Sequence, residues 1–197
     1  EAHFQENGID HEKVAYCITD LEHNIKYSMN EKDEFIAASI YKLPLAMLYY
    51  DKVNEGEYTL DSTFTYSGYM HEDAGVISSD YGIGSQVPLS DLLNDLIIYS
   101  DNDAGHILYE NLGGWKEYKE AMTKYTDSIS ENYYTMDNVT TANTMNDVVT
   151  YLYDHKEDYK GLIKNMEKAE PGGYLDRDTQ LSMPQKYGMY DYALNSV

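Results

Sequence analysis

The stretch with the clearest chemical meaning in this sequence places a serine three residues before a lysine. Residues 35–46 read FIAASIYKLPLA, an apolar run that predicts a helix. Residues i and i+3 share one face of a helix, so Ser39 and Lys42 are expected at the same edge. A buried lysine amine loses its proton more readily than a solvated one and can then accept a proton from a hydroxyl. The pair predicts a serine nucleophile activated without histidine; a capping serine followed by a solvated lysine is the alternative.

Two further short motifs follow in a fixed order. A Ser-Asp-Asn triplet occupies residues 100–102 after an apolar run, and a Lys-Tyr-Gly triplet occupies residues 186–188. Alone, Ser-Asp-Asn is also typical of a helix N-cap. Together with the first motif, these elements resemble the penicillin-recognising serine hydrolases, that is, the class A β-lactamases and the penicillin-binding DD-peptidases. The resemblance runs from about residue 14 to the end and includes the Thr-Thr stretch at residues 140–145.

The resemblance implies how the bond-making residues divide the chemistry. Ser39 would be the nucleophile and Lys42 the group that accepts its proton. Ser100 would relay a proton towards the leaving nitrogen of the substrate. The backbone N–H of Ser39 and a second N–H from the last strand would form the oxyanion hole.

The resemblance also implies the residues that bind substrate. Asn102 would hydrogen-bond the amide side chain of the substrate. Lys186, followed by Tyr187 and Gly188 on the last strand, would orient a substrate carboxylate across the cleft. Two lysines near one serine also lower each other's pKa, because a neighbouring positive charge disfavours the ammonium form. Asp101 is expected to face away and to cap local structure.

The sequence departs from the family pattern at the step that releases product. Fast β-lactamases carry a glutamate before the Thr-Thr stretch, with an asparagine four residues later, and this glutamate activates the deacylating water. Residues 126–139 contain one glutamate, Glu131, and position 135 is threonine. Glu131 is therefore the candidate deacylation base, with a solvated turn carboxylate as the alternative. Slow deacylation is expected.

Two more departures concern the last strand. Tyr187 takes the place of the family's threonine or serine, and a phenol is longer and narrows the cleft. The chain ends at Val197, whereas relatives continue with two more strands and a closing helix. We therefore expect a C-terminally truncated domain whose sheet has exposed edges.

The order of elements predicts an α+β fold in which residues 1–197 form one domain. Strands are expected at both ends and helices in the middle, so antiparallel strands from the two termini should form a sheet against a helical body. The nucleophile helix is predicted from Ser39 to about Asn54, with Pro44 inside it and a local bend there. A strand is predicted through residues 186–188, followed by a turn near Asp191.

Composition excludes several classes of function. The chain has 35 acidic and 14 basic residues, a net charge of −21, which would repel a nucleic-acid backbone. No run of about 18 apolar residues predicts a membrane span. With one cysteine, Cys17, and six histidines without ligand spacing, the sequence predicts no metal site and no cofactor.

These features lead to two functional hypotheses. The first is an exported bacterial serine hydrolase, extracellular or at the cell surface, that forms an acyl-enzyme with β-lactam or cell-wall-peptide-like amides. We expect it to be monomeric. The second is a non-catalytic extracellular binding domain that keeps the fold. Its cleft would use the tyrosines, of which the chain has 22 against 3 phenylalanines.

Overall fold

The computed structural model describes residue 4 and residues 6–68, 75–135 and 137–197. Short antiparallel strands and α-helices alternate along these ranges, so the predicted α+β class is confirmed. The strands are β1 (Tyr16–Asp20), β2 (Ile25–Met29), β3 (Phe35–Ile36), β4 (Thr63–Thr65), β5 (Gln86–Pro88), β6 (Val139–Thr140), β7 (Tyr187–Tyr190) and β8 (Ala193–Ser196). The α-helices are α1 (Lys42–Asn54), α2 (Val76–Asp80), α3 (Leu89–Ile98), α4 (Asn102–Asn111), α5 (Trp115–Met122), α6 (Ala142–Asp154) and α7 (Lys160–Met166).

Each end of the chain forms a β-hairpin, as the sequence predicted. Strands β1 and β2 pair in register from Tyr16 opposite Met29 to Asp20 opposite Ile25. Strands β7 and β8 pair around a turn that contains Asp191, whose φ of 52° is the left-handed conformation that tight turns need. The backbone groups of Lys186 and Val197 extend this ladder by one hydrogen-bonded pair. The last hairpin therefore holds the Lys-Tyr-Gly motif in a defined register.

The terminal hairpins do not join into one sheet. Within the described ranges, hydrogen bonds form four separate two-stranded antiparallel sheets, β1–β2, β3–β6, β4–β5 and β7–β8. A groove lined by residues of β1 and β8 separates the two terminal hairpins, and strands must lie about 4.8 Å apart to bond. Apolar side chains consequently stay exposed on both hairpins, among them Ile18, Tyr27 and Leu194.

Helix α1 is the centre of the helical body. All residues from Lys42 to Tyr50 are buried, which is the pattern of a helix covered on every side. Helices α3, α4, α5 and α7 pack around it. The phenol of Tyr49 donates to the carbonyl of Leu108 at 2.7 Å and satisfies a polar group in this core. The lysine at the start of α1 is thereby carried into the protein interior.

The start of α1 differs from the prediction. The α-helix begins at Lys42, and Ser39 lies in a short 3-10 helix, Ala38–Tyr41, that leads into it. Pro44 is the third residue of α1, where backbone N–H groups have no partner within the helix, so proline costs no hydrogen bond there. We predicted a local bend because we placed Pro44 inside the helix, and in the first turn proline gives no reason for a bend.

Candidate active site

Ser39 lies on the 3-10 turn that precedes the buried helix α1. The N–H of Lys42 donates to the carbonyl of Ser39, which closes this turn. In a 3-10 helix there are three residues per turn, so side chains at i and i+3 eclipse each other. Ser39 and Lys42 therefore share one edge, as the spacing predicted, although the helix type differs. Ser39 is half-buried, whereas Lys42 is fully buried.

The backbone just before Ser39 is held in an uncommon conformation. Ala38 has a φ of 49°, in the left-handed region that costs a non-glycine residue about 1 kcal/mol or more. The side-chain amide of Asn138 donates to the carbonyl of Ala38 at 2.9 Å, and the backbone N–H of Ala37 donates back to the carbonyl of Asn138 at 2.9 Å. The side-chain amide of Asn195 donates to the carbonyls of Ile36 and Ala37. These two asparagines lock the nucleophile turn in place.

Strand β7 packs directly against the nucleophile turn through Gly188. A Cβ at this position would lie 2.7 Å from the backbone nitrogen of Ser39 and 2.9 Å from that of Ile40. Both neighbours are backbone atoms that cannot move aside, so this position requires glycine. The same close approach brings the last strand next to the N–H of Ser39, which the oxyanion hole would use.

Lys42 donates hydrogen bonds to the Ser-Asp-Asn segment from across the site. Its Nζ lies 2.5 Å from the carbonyl oxygen of Ser100, 2.6 Å from Oδ1 of Asn102 and 3.4 Å from Oγ of Ser100. A neutral amine has two N–H groups and one lone pair. The two short contacts use both N–H groups, so the lone pair of Lys42 is left to accept a proton from a neighbouring hydroxyl.

Ser100 lies between the two lysines. The Nζ of Lys186 donates to Oγ of Ser100 at 2.9 Å and to the carbonyl of Tyr187 at 2.7 Å. Ser100 also has a positive φ of 57°, which directs its carbonyl towards Lys42 while its hydroxyl meets Lys186. The structure therefore brings Lys42, Ser100 and Lys186 into one hydrogen-bonded chain, with Asn102 joined to it through Lys42.

Burial changes the protonation of both lysines. Desolvation lowers the pKa of Lys42 from 10.5 to about 7, and the negative charge of Asp101 opposes this shift. Desolvation together with the positive charge of Lys42 lowers the pKa of Lys186 to about 6, while Glu170 opposes the shift. Both side chains are 0% exposed. A substantial fraction of each lysine is therefore a neutral amine at pH 7, which is the form that can act as a base.

Asp101 and Asn102 have separate positions at the start of helix α4. Asp101 caps the helix by accepting from the N–H of Ala104 at 2.9 Å, and its second carboxylate oxygen accepts from the N–H of Ile77 at 3.1 Å. This is the structural capping role predicted for Asp101. Asn102 is the first residue of the helix and is exposed, so part of its amide faces solvent while Oδ1 contacts Lys42.

Glu131 has a different environment from the residues of this cluster. It is exposed and borders a cavity together with residues of two other segments, among them Lys32, Glu34 and Asn143. Its neighbour Asn132 uses its backbone and side-chain N–H groups to bind the carboxylate of Glu34. The lining of this cavity includes neither Ser39 nor either of the buried lysines. The structure thus joins Lys42, Ser100, Asn102 and Lys186 by hydrogen bonds and places Gly188 against the backbone of Ser39, and Glu131 takes part in none of these contacts.

The site also contains residues that the sequence did not mark. Asn138 and Asn195 support the nucleophile turn from positions 100 and 159 residues away from their partners. Tyr174 stacks on Tyr187, with ring centroids 4.8 Å apart and an angle of 17° between the planes. Such distant pairings leave no pattern in local sequence. For Asn138, next to strand β6, nothing in the sequence indicated a role at the nucleophile turn beyond its proximity to the Thr-Thr stretch.

Two further observations concern other kinds of site. Among the residues that the structure describes, no three His, Cys, Asp or Glu side chains group in a way that could hold a metal ion. None of the helices in the same ranges has both the length and the hydropathy of a bilayer-crossing helix.

Comparison with solved structures finds proteins of similar fold. A solved β-lactamase from Chitinophaga pinensis superposes with a TM-score of 0.77 at 19% identity, over 92% of this chain and 77% of that one. A mutant of PBP-A, solved as an acyl-enzyme complex with penicillin G, gives a TM-score of 0.79 at 17% identity, over 92% and 73% of the chains. A β-lactamase from Sphaerobacter thermophilus gives 0.75 at 18% identity, over 92% and 74%.

These likenesses, at less than 25% identity, establish the fold. The family itself follows from the sequence model of the β-lactamase enzyme family, which matches residues 4–195, almost the whole chain. That span includes all three motifs and the two asparagines that support the nucleophile turn. The chain belongs to the β-lactamase enzyme family.

Proposed function

We propose that this protein is a serine hydrolase that forms an acyl-enzyme on Ser39 with β-lactam or cell-wall-peptide-like amides. The observation that carries the proposal is the buried chain of Lys42, Ser100 and Lys186 beside the Ser39 turn. A lysine that is neutral near pH 7 can accept the proton of a serine hydroxyl, and this is how a serine becomes nucleophilic without histidine. A family relative trapped with penicillin G as an acyl-enzyme supports the substrate class.

In this proposal each residue has one role in acylation. The lone pair of Lys42 takes the proton of Ser39 as Oγ attacks the carbonyl carbon of the substrate. The carbonyl oxygen becomes an oxyanion, which the backbone N–H of Ser39 and an N–H of the last strand stabilise. When the C–N bond breaks, Ser100 gives its proton to the leaving nitrogen and regains one from the ammonium of Lys42. The products are an ester on Ser39 and a free N–H.

The proposal includes slow deacylation. Hydrolysis of the ester needs a base that polarises a water molecule. The single glutamate of the candidate loop, Glu131, is exposed, and threonine stands at position 135 in place of the family's asparagine. Losing general-base assistance lowers a rate by about 10²–10⁴-fold. We expect a penicillin adduct to persist for minutes or longer.

A fluorescent penicillin followed by intact-protein mass spectrometry tests both steps. The wild-type chain should gain one penicillin mass, Ser39→Ala should gain none, and Ser90→Ala should label like the wild type because Ser90 lies at the distant start of α3. Labelling of Ser39→Ala would show that another residue is the nucleophile. No adduct in the wild type would favour the alternative, a non-catalytic binding domain. Rapid turnover lost in Glu131→Gln would make Glu131 the deacylation base.

Location and assembly belong to the same proposal. Cell-wall-like substrates lie outside the cytoplasm, so we infer an extracellular or cell-surface protein. We also infer that the chain acts as a monomer, since the proposed chemistry uses residues of one chain. Fractionation of the native host and light scattering of the purified chain would test these two points.

A further inference from the structure

This inference rests on the proposed function and concerns the lysine expected to bind a substrate carboxylate. Lys186 is 0% exposed, and its Nζ donates to Oγ of Ser100 and to the carbonyl of Tyr187. Its pKa of about 6 leaves the amine mostly neutral at pH 7. A neutral amine has two N–H groups, and these two contacts use both. Lys186 therefore has no N–H left for a substrate anion.

The ring of Tyr187 covers a further side of the same amine. The Nζ of Lys186 lies 4.1 Å from the centroid of the Tyr187 ring. The face of an aromatic ring carries the negative part of its quadrupole, which attracts cations and repels anions. A carboxylate that approached Lys186 from this side would meet the ring instead of a hydrogen-bond donor. Threonine or serine, which the family carries here, would leave this space open and would offer a hydroxyl.

Tyr187 is held in this position by a partner ring on a well-anchored loop. Tyr174 stacks on it in nearly parallel planes. The loop that carries Tyr174 is fastened by Gln185, which is 0% exposed. The side-chain nitrogen of Gln185 lies 3.2 Å from four acceptors, the carbonyls of Ala169, Glu170 and Gly173 and Oδ1 of Asp176, among which its two N–H groups are shared. Its oxygen accepts from the N–H of Leu175. The two rings therefore form a preorganised wall.

The electrostatic surroundings of the wall also disfavour an anion. Burial, followed by the negative charge of Glu170, raises the pKa of the Tyr187 phenol to about 12. The phenol thus stays neutral, and Glu170 lies close enough for its charge to act on it. A second carboxylate, brought by a substrate, would be repelled by Glu170 in a partly desolvated place.

We propose that Tyr187, backed by Tyr174, is a specificity-determining residue that frees this site from the need for a substrate carboxylate. The acyl donors that fit are lactams or amides that are uncharged beside the scissile bond. The carboxylate form of such a donor gains no ion pair from Lys186 and is repelled by Glu170.

Benzylpenicillin and its methyl ester test this inference, because they differ in the carboxylate alone. Acylation rate constants for both probes would be measured by timed mass spectrometry on the wild type, Tyr187→Thr and Tyr174→Ala. The wild type should acylate with the ester at least as fast as with the acid. In Tyr187→Thr the acid-to-ester ratio should rise about tenfold or more. Without the ring the substrate carboxylate can reach Lys186 and favour its ammonium form, whose third N–H then donates a charge-assisted hydrogen bond. Tyr174→Ala should shift the ratio in the same direction.

Tyr192→Thr is the matched control, because Tyr192 is 97% exposed in the turn of the same hairpin and should leave the ratio unchanged. A wild type that prefers the acid by about tenfold or more would overturn the inference, since that preference requires carboxylate recognition. An unchanged ratio in both Tyr187→Thr and Tyr174→Ala would also overturn it. If Ser39 formed no adduct with either probe, the proposed function would be overturned together with this inference. If both probes formed adducts but the ratios did not behave as expected, this inference alone would be overturned.

Discussion

Acylation of Ser39 should depend on pH through the protonation state of Lys42. The base form of Lys42 is the reactive form, and burial lowers its pKa from 10.5 to about 7. Raising the pH through this value removes a proton from Lys42 and should raise the acylation rate towards a plateau. The charge of Lys186, whose pKa is about 6, should add a second protonation and a steeper decline below that pH.

The magnitude follows from the fraction of neutral amine. With a pKa of about 7, roughly half of the Lys42 side chains are neutral at pH 7, whereas an unperturbed lysine would be neutral in roughly 0.03%. Burial therefore supplies about 10³ times more base at pH 7. At about pH 5 roughly 1% of Lys42 stays neutral, so the acylation rate should fall by about 50-fold or more from its value at pH 7.

The assay is stopped-flow acylation by a chromogenic β-lactam at constant ionic strength across about pH 5 to 9. Lys42→Met should lower the rate by about 10²–10⁴-fold and abolish the inflection near pH 7. Lys119→Met is the matched control, because Lys119 is also buried, at 4% exposed, and donates to the carbonyl of Tyr133. It should keep the wild-type rate and profile.

A different profile would refute this reasoning. A rate that does not change between about pH 5 and 8, or that rises with a midpoint above about pH 9, would mean that Lys42 is not the base at its buried pKa. Equal losses in Lys42→Met and Lys119→Met would show that the effect comes from removing any buried lysine. Either result would mean that Lys42 does not act as the base, although its hydrogen bonds in the cluster would stand.

Three further outcomes are expected from other parts of the site. Gly188→Ala should lower the acylation rate by about 10²-fold, because the added Cβ would displace the backbone at Ser39. Gly82→Ala is the control, since a Cβ has ordinary space there. Equal effects of the two substitutions would contradict the close approach of Gly188 to the Ser39 backbone. Asn138→Ala should lower the free energy of unfolding by about 1–3 kcal/mol, measured by chemical denaturation, and should slow acylation in the labelling assay. Unchanged stability and labelling would mean that the nucleophile turn does not need the Asn138 side chain. Lys186→Met should unfold at a higher temperature than the wild type at pH 7. A lysine whose pKa is lower in the folded than in the unfolded state costs stability, and this cost falls as the pH rises from about 6 towards 10.5. A stability gain in Lys186→Met that increased with pH would contradict this argument.

Local sequence was sufficient for the secondary structure near the motifs. The N-cap Asp101 was readable from the Ser-Asp-Asn triplet, and it accepts from the N–H three residues on. The two terminal hairpins followed from apolar runs separated by turn residues. The start of α1 was misjudged by three residues, because a 3-10 turn and an α-turn carry the same apolar pattern.

The sequence by itself determined which groups of the candidate site exist and in what order they occur. It marked Ser39, Lys42 and Ser100 as candidate reacting groups, through the spacing of the first two and through the family resemblance of the motifs. Tertiary structure alone decided that Lys42 and Lys186 are fully buried, and that they meet at Ser100 from 58 and 86 residues away. It also decided that Glu131 is exposed at the border of a cavity with Glu34 and Asn143. A pKa depends on the solvent and charges that surround a group, and these are properties of the assembled fold.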